Sequence, residues 1–342
     1  MKSKKSIWLI LLLTLLFGGW GKVGHKIINK NSAAFLPGEM EFFKNWASFL
    51  AEHASDADYR KNQDPNESPK HYIDIDRYPE FVSYGAISQN FDSLVSIHGY
   101  NTVIRNGILP WTIITSVDSL TQQFKRKDWN KVKQTAADLG HYVGDSYMPL
   151  HLTENYNGQF TNQQGVHSRY ESSMIGKFES LITYSPDTAS YVSNVSNFVF
   201  SYIYYNYNYV DSVLSADRIA TSIAGNNYSD VYYNELWRLT GKFTIKLFKS
   251  ASDKLAGLIY TAWENAGKPM PKSTNVVYNN YLPVGYKLYQ NYPNPFNPET
   301  IIKYKINAGT KGSIHVLLRI YDMLGRVVAD VVNSDKPTGE YQ

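Results

Sequence analysis

The chain opens with a short basic stretch and an apolar run, and no cysteine occurs anywhere in its 342 residues. Lys2, Lys4 and Lys5 precede the run from Ile7 to Phe17, which gives way to Gly18 and Gly19. That order is the pattern of a secretory leader, and the run is too short for a comfortable membrane span. Residues 1–19 are therefore expected to be removed, leaving a secreted or cell-surface protein. An exported chain without disulfides must hold its fold by a sizeable core, by bound metal, or by both. Loss of the three lysines takes the formal charge from +4 to +1, since residues 1–19 contain no acid. A nearly neutral chain exerts no global attraction on nucleic acid.

From Trp20 to about Lys268 the sequence reads mainly helical. Residues 128–148 place Val132, Ala136, Leu139 and Val143 at helical spacing, and Pro149 marks the end. Residues 115–126 and 230–265 are patterned alike. The Tyr-rich stretch Phe198 to Val210 fits a buried helix or paired strands, and periodicity leaves both open. Residues 269–285, with Lys-Pro-Met-Pro-Lys-Ser-Thr-Asn and Asn-Asn-Tyr-Leu-Pro, read as a linker. Beyond it the pattern alternates: Ile302, Tyr304 and Ile306 against Ile301, Lys303 and Lys305, then Ile314 to Tyr321, with a turn at Asp322-Met323-Leu324-Gly325. Residues 286–342 thus form a small β module behind a helical domain.

Histidine placement carries the chemistry. His141, Asp145 and His151 stand as HxxxDxxxxxH, the first two at i, i+4 on one helix face. Pro149 ends that helix and lets His151 return toward the same pocket. His167 and Glu171 form a second i, i+4 pair. One such pair is usually a surface ion pair, but two of them within 31 residues, with a third histidine between, point to metal. Imidazole nitrogen and carboxylate oxygen are the zinc donors to expect where cysteine is absent. Cleavage after Gly19 would leave Trp20-Gly-Lys-Val-Gly-His25, whose α-amine and first carbonyl can close a five-membered chelate. That amine titrates at about 7.7–8.0, so zinc can displace its proton near neutrality. His53, His98 and His315 lack such company and read as structural.

Taken together, Trp20-Gly-Lys-Val-Gly-His25, HxxxDxxxxxH and His167-Ser-Arg-Tyr-Glu171 resemble the tri-zinc superfamily of phospholipases C and single-strand-specific nucleases. The resemblance spans roughly Trp20 to Ile175 and implies a helical hydrolase domain over 20–268 that cleaves phosphodiesters. It also implies three zinc ions: one on Trp20, His25 and Asp145; a second on Asp58, His71, His141 and a shared Asp145; a third on His151, His167 and Glu171. In Ser55-Asp-Ala-Asp-Tyr-Arg60, Asp58 is preferred and Asp56 stays a second candidate. His71 begins His-Tyr-Ile-Asp-Ile-Asp, which resembles the family's second-strand histidine motif; Asp74 and Asp76 read equally as acids orienting a ligand or as surface acids. Zinc lowers the pKa of a bound water toward about 7 and offsets charge on the phosphoryl oxygens, with Asp58 expected to help take the proton.

Glu171 at the last ligand position, the absence of a Gly-Gly-Asn run upstream and the near-neutral charge favour the phospholipase C branch. The expected substrate is then a phospholipid head group, with transient contact at a membrane surface. A nuclease acting on single-stranded nucleic acid is the alternative, and a non-catalytic zinc-bearing surface protein a third reading. No stable protein partner is inferred.

The tail, from Leu288-Tyr-Gln-Asn-Tyr-Pro-Asn-Pro-Phe-Asn-Pro-Glu-Thr300 to Ile320-Tyr-Asp-Met-Leu-Gly-Arg-Val-Val328, resembles the type IX secretion sorting domain. This implies a β-sandwich addressed to the type IX secretion machinery. Its pattern stops at Gly339-Glu-Tyr-Gln342, so the module is expected to be truncated, its open edge unstable, and little order to remain beyond about residue 280.

Overall fold

The computed structural model describes residues 21–271, 286–294, 298–307, 312–322 and 326–342. The leader, Trp20, residues 272–285 of the expected linker and Met323 to Gly325 of the expected turn lie outside them. The chain forms two compact units, Met1–Pro271 and Lys272–Gln342.

The first unit is helical. Its principal helices are α1 (Lys22–Phe35), α2 (Asp56–Arg60), α3 (Leu109–Arg126), α4 (Trp129–Ser146), α5 (Val195–Tyr207), α6 (Val210–Ala224) and α7 (Asp230–Asn265). Helix α4 starts where the Asp128 carboxylate accepts the Lys131 N–H, capping a free backbone donor. Its positions Val132, Ala136, Leu139 and Val143 are all fully buried. From Leu139 onward every residue of α4 is buried, so the stretch carrying His141 and Asp145 is enclosed on all sides rather than along one stripe. The long α7 packs against α1, α3, α4 and α6 and forms the spine of the unit. Phe35, Phe43, Phe124, Phe200 and Trp263 fill the main core between these helices. A second apolar cluster, with Met148, Leu150, Tyr170, Met174 and Tyr232, lies under the segment that carries His167 and Glu171.

The open question over Phe198 to Val210 resolves as helix. Asn194 caps α5 by accepting the Asn197 N–H at 2.9 Å, and Val199, Phe200, Tyr202, Ile203 and Asn206 turn inward. The segment after His71 is not a strand of a sheet. Ser68–His71 and Ile75–Arg77 are short 3-10 turns, joined by extended backbone. The Ile73 N–H donates to the His151 carbonyl and the Ile75 N–H to that of Leu152, so 71–75 lies against 151–152. Those two bonds bring two histidines 80 residues apart into one wall.

In the second unit, β1 (Lys287–Leu288), β2 (Tyr304–Ile306) and β5 (Gly339–Tyr341) make one antiparallel sheet with β2 in the middle. Tyr304 and Ile306 are buried and Lys305 is out, as the alternation predicts. The longer β3 (Ser313–Tyr321) and β4 (Val327–Pro337) form an antiparallel pair. Among the described residues beyond 280 these ladders set Tyr304 opposite Tyr341 and Leu318 opposite Val332. His315 stands exposed on β3, 2.9 Å from Asp335 and 3.0 Å from Asn333.

Candidate metal centre and active site

Asp145 is the hub, buried on α4 with four imidazoles around its two oxygens. Its Oδ1 stands 3.4 Å from His25 Nε2 and 3.5 Å from His151 Nδ1. Its Oδ2 stands 3.0 Å from His71 Nδ1 and 3.4 Å from His141 Nε2. His25 reaches the hub from α1, its ring stacked on that of His141 with centroids 3.9 Å apart. That approach depends on Gly144: a Cβ there would lie 2.6 Å from His25 Nδ1. Asp58, on α2, completes the inner face, its Oδ1 3.5 Å from His141 Nε2 and 3.7 Å from His71 Nδ1. Asp56 points elsewhere and pairs with His53 at 2.7 Å. Asp58 is thus the acid brought to the cluster. His98 pairs with Glu80, and Asp76 accepts from Thr153 and from the Glu154 N–H; neither reaches it.

The rim is built differently. His167 sits in the middle of a short helical turn, Val166–Ser168, and the next residues, Arg169–Met174, widen into a π-helix carrying Glu171. Such widened turns recur where a side chain must be re-aimed at a site. Here His167 Nε2 lies 2.9 Å from Glu171 Oε2, while His151 Nε2 faces Glu171 Oε1 across 3.5 Å. Gly21 adjoins this group: its N–H donates to Ser172 Oγ, and a Cβ on it would meet Glu171 Oε1 at 3.0 Å.

Outer hydrogen bonds fix the imidazoles. His141 Nδ1 donates to the Ala54 carbonyl at 2.7 Å and His151 Nδ1 to that of His71 at 2.6 Å. Each bond leaves the lone pair of the opposite nitrogen, Nε2, free to face the cluster. Burial opposes charge on Asp145, but His141, His151, His25 and His71 outweigh it and hold its carboxyl well below the usual range. Burial likewise yields to His151 and His167 at Glu171. His141 goes the other way: burial and the neighbouring His25 lower its pKa, so it stays neutral. His151 also pays desolvation, yet Asp145 and Glu171 raise it to about 9.

These spacings fit zinc. Ligand atoms about 2.1 Å from a tetrahedral zinc stand about 3.4 Å from one another; most of the pairs above lie between 3.4 and 3.7 Å, while His71–Asp145 at 3.0 Å and His167–Glu171 at 2.9 Å are closer. Among the described residues three sets have ligand atoms within 4.8 Å of one another: His25, His141 and Asp145; Asp58, His71 and His141; His151, His167 and Glu171. His141 Nε2 falls in two of these sets, but with Nδ1 bonded to the Ala54 carbonyl it has one lone pair to give to one metal, whereas Asp145 has two oxygens to share. The buried His151 Nε2 has no hydrogen-bond partner, as a nitrogen reserved for metal would not.

The cluster floors a cleft of about 560 Å³ bordered by Lys22, Tyr59, Lys61, Asn62, Tyr156 and Asn157. A second cavity of about 390 Å³ opens beside it, sharing Lys61, His151, Tyr156 and His167 and adding Ser68, Tyr72 and Asp74. Lys61 pairs with Asp58 at 2.7 Å; burial opposes its charge, but Asp145, Asp58 and Glu171 keep it cationic. Burial, with Asp76 and Glu154 nearby, raises Asp74 to about 7. Lys61, Tyr72 and Tyr156 escaped the sequence reading; the signal for Lys61 was its i+3 place after Asp58.

A helical domain enclosing linked histidine–carboxylate sets at the floor of a cleft has the build of a metallohydrolase. Residues 20–242 match the S1/P1 Nuclease family, and the chain belongs to it. It is a zinc-dependent phosphodiesterase. No curated protein matches the chain. Membership backs the nuclease alternative better than the phospholipase C reading placed first on Glu171 and charge.

Proposed function

We propose that the protein is a three-zinc nuclease that cuts single-stranded nucleic acid. The observation that carries this reading is the side cavity at the cleft, where Tyr72 and Tyr156 border Asp74 next to His71 and His151. A base can enter such a cavity only when it is unpaired, and stacking on an aromatic ring contributes about 1–3 kcal/mol per base. Asp74 then accepts from a base amino group, or donates when protonated, which its pKa near 7 permits. Lys61, with Lys22 at the same rim, draws the phosphodiester over the cluster. Bound zinc supplies an activated water and neutralises developing charge on the phosphoryl oxygens. Although burial opposes it, His141 and Lys61 hold the Asp58 carboxyl well below the usual range. In this reading Asp58 holds metal, and its place at the cluster makes it the acid expected to help take the water's proton.

The Trp20 amine and carbonyl complete the His25 set in this reading. Its support is that Gly21, the next residue, lies against Glu171 and His25. Export through residues 1–19 and the type IX sorting module also belongs to it, on the sequence patterns already given. Among the described residues no helix is long and apolar enough to cross a membrane. Phospholipase C activity is the second reading, favoured by Glu171 where the nucleases typically carry Asp. The test compares substrates at equal phosphodiester concentration. Single-stranded DNA should be cleaved faster than duplex DNA and faster than short-chain phosphatidylcholine; preference for the lipid would restore the second reading. Bis-p-nitrophenyl phosphate left intact would point to the non-catalytic reading.

A further inference from the structure

We infer that Glu67 is a positioning residue for the metal centre, holding His71 with Nδ1 toward the cluster and tying together the elements that carry the Asp58, His71 and His141 set. The inference rests on the zinc reading of that set. His71 is reversed relative to its neighbours: its inward nitrogen is Nδ1, whereas His141 and His151 present Nε2. The outward nitrogen of His71 therefore meets a different partner. Instead of a backbone carbonyl it faces Glu67 Oε1 at 3.6 Å, an ion-pair distance too long for a hydrogen bond, so the carboxylate acts on that buried nitrogen through its charge from one helical turn earlier in the chain. A carboxylate at that nitrogen favours the tautomer protonated on Nε2, which leaves the Nδ1 lone pair for metal.

Glu67 is itself held from three sides. Tyr142 Oη donates to Oε1 at 2.5 Å, Lys70 Nζ to Oε2 at 2.6 Å, and Arg60 Nη2 to Oε1 at 3.3 Å. Arg60 also donates to Asp138 at 3.0 Å and to Tyr142 at 3.3 Å. Arg60 ends the helix that bears Asp58, and Asp138 and Tyr142 flank His141 on α4. One buried carboxylate thus binds donors from each element that supplies this ligand set. Neutral glutamine in its place would keep the shape and lose the charge that orients the ring and gathers Lys70 and Arg60.

Zinc affinity of the full chain, measured by chelator competition at fixed pH, tests this. Glu67→Gln should release zinc from one site at about 10–100-fold lower chelator concentration than the unaltered protein, and Glu67→Asp should recover part of the loss. A residue serving only the fold would lower the Tm of the metal-free protein and leave the chelator midpoint alone. That result, with affinity within about twofold of the unaltered protein, would overturn the inference. Should Glu67→Gln fail to fold, Tyr142→Phe decides: it removes one donor to Glu67 and should weaken zinc binding by less than about tenfold, and unchanged affinity would count against Glu67. An unaltered protein that binds no zinc would sink the metal reading and this inference together.

Discussion

The inner and rim parts of the metal centre are made of the same donors but held by opposite means. His25, His71, His141 and Asp145 have side chains no more than 5% exposed, with Asp58 at 30% on the open side of the inner group, while at the rim His167 and Glu171 are 25% and 15% exposed. The inner group hangs on helices packed into the main core, with one carboxylate serving four imidazoles. The rim group stands on a π-helical turn over the smaller apolar cluster. Density of shared partners makes the inner group cooperative, so damage there should spread. The rim group meets the inner one through His151, at Asp145 and at the His71 carbonyl, so damage at His167 or Glu171 should stay local.

Paired substitutions give the largest contrast. Asp145→Asn should remove more than one zinc and lower hydrolysis of bis-p-nitrophenyl phosphate by more than about 10³-fold, at the upper end of what loss of a charge-stabilising group costs. His151→Ala should remove one zinc and most activity while the inner metals remain. Elemental analysis of both variants reads the difference directly. Equal zinc loss from the two would erase the distinction between inner and rim. Full zinc content in His151→Ala would remove that residue from the ligands.

A smaller contrast lies in the pH dependence of the metal-free protein. His151 has its pKa raised from 6.5 to about 9, so its proton is held more tightly in the fold than out of it. Its contribution is complete below pH 6.5 and is lost as pH rises through about 9, a change of about 3 kcal/mol. Asp145 and Glu171, whose values are depressed, act at the other end: their contribution is present above the ordinary carboxylate range and is lost as pH falls. Urea unfolding in excess chelator should show stability falling between pH 6.5 and 9, and His151→Ala should flatten that limb. Stability that rises over this interval would mean that His151 is not the proton-holding link between rim and hub.

How much of this was legible varies with the kind of order involved. Helices α4 and α7 could be read because apolar residues recur at helical spacing over many turns. Helix α5 could not, because aromatic and aliphatic residues crowd two of its faces and blur the period. Residues of the cluster were named because histidine is scarce and its spacings are short. The choice between Asp56 and Asp58 needed the partner of Asp56, which is His53. Glu67 stands at i, i+4 before His71, an acid–histidine spacing that was passed over, while its tie to Tyr142, 75 positions away, left no local mark. The substrate branch was read from Glu171, the missing Gly-Gly-Asn run and the charge, whereas the cavity beside it joins Tyr72 and Asp74 to the distant Tyr156.

The smallest expected effect concerns the point where the two groups meet. Gly21 touches Glu171 of the rim and His25 of the inner set, so an amine on Trp20 would serve the inner set from the rim side. A protein that begins Met-Trp20 replaces that amine with an amide nitrogen, which is not a comparable donor at neutral pH, and keeps the Trp20 carbonyl. One of the two chelating atoms survives, so the loss should be partial: weaker binding of one zinc and an activity decrease of about tenfold, the low end for disturbing a metal's supporting contacts. The other sites do not use this atom and should keep their metal. The comparison is zinc content and hydrolysis rate for the Met-Trp20 protein and for one processed to Trp20. Identical values for both would place the N-terminus outside the centre and leave the inner set to be completed by His25, His141 and Asp145 alone.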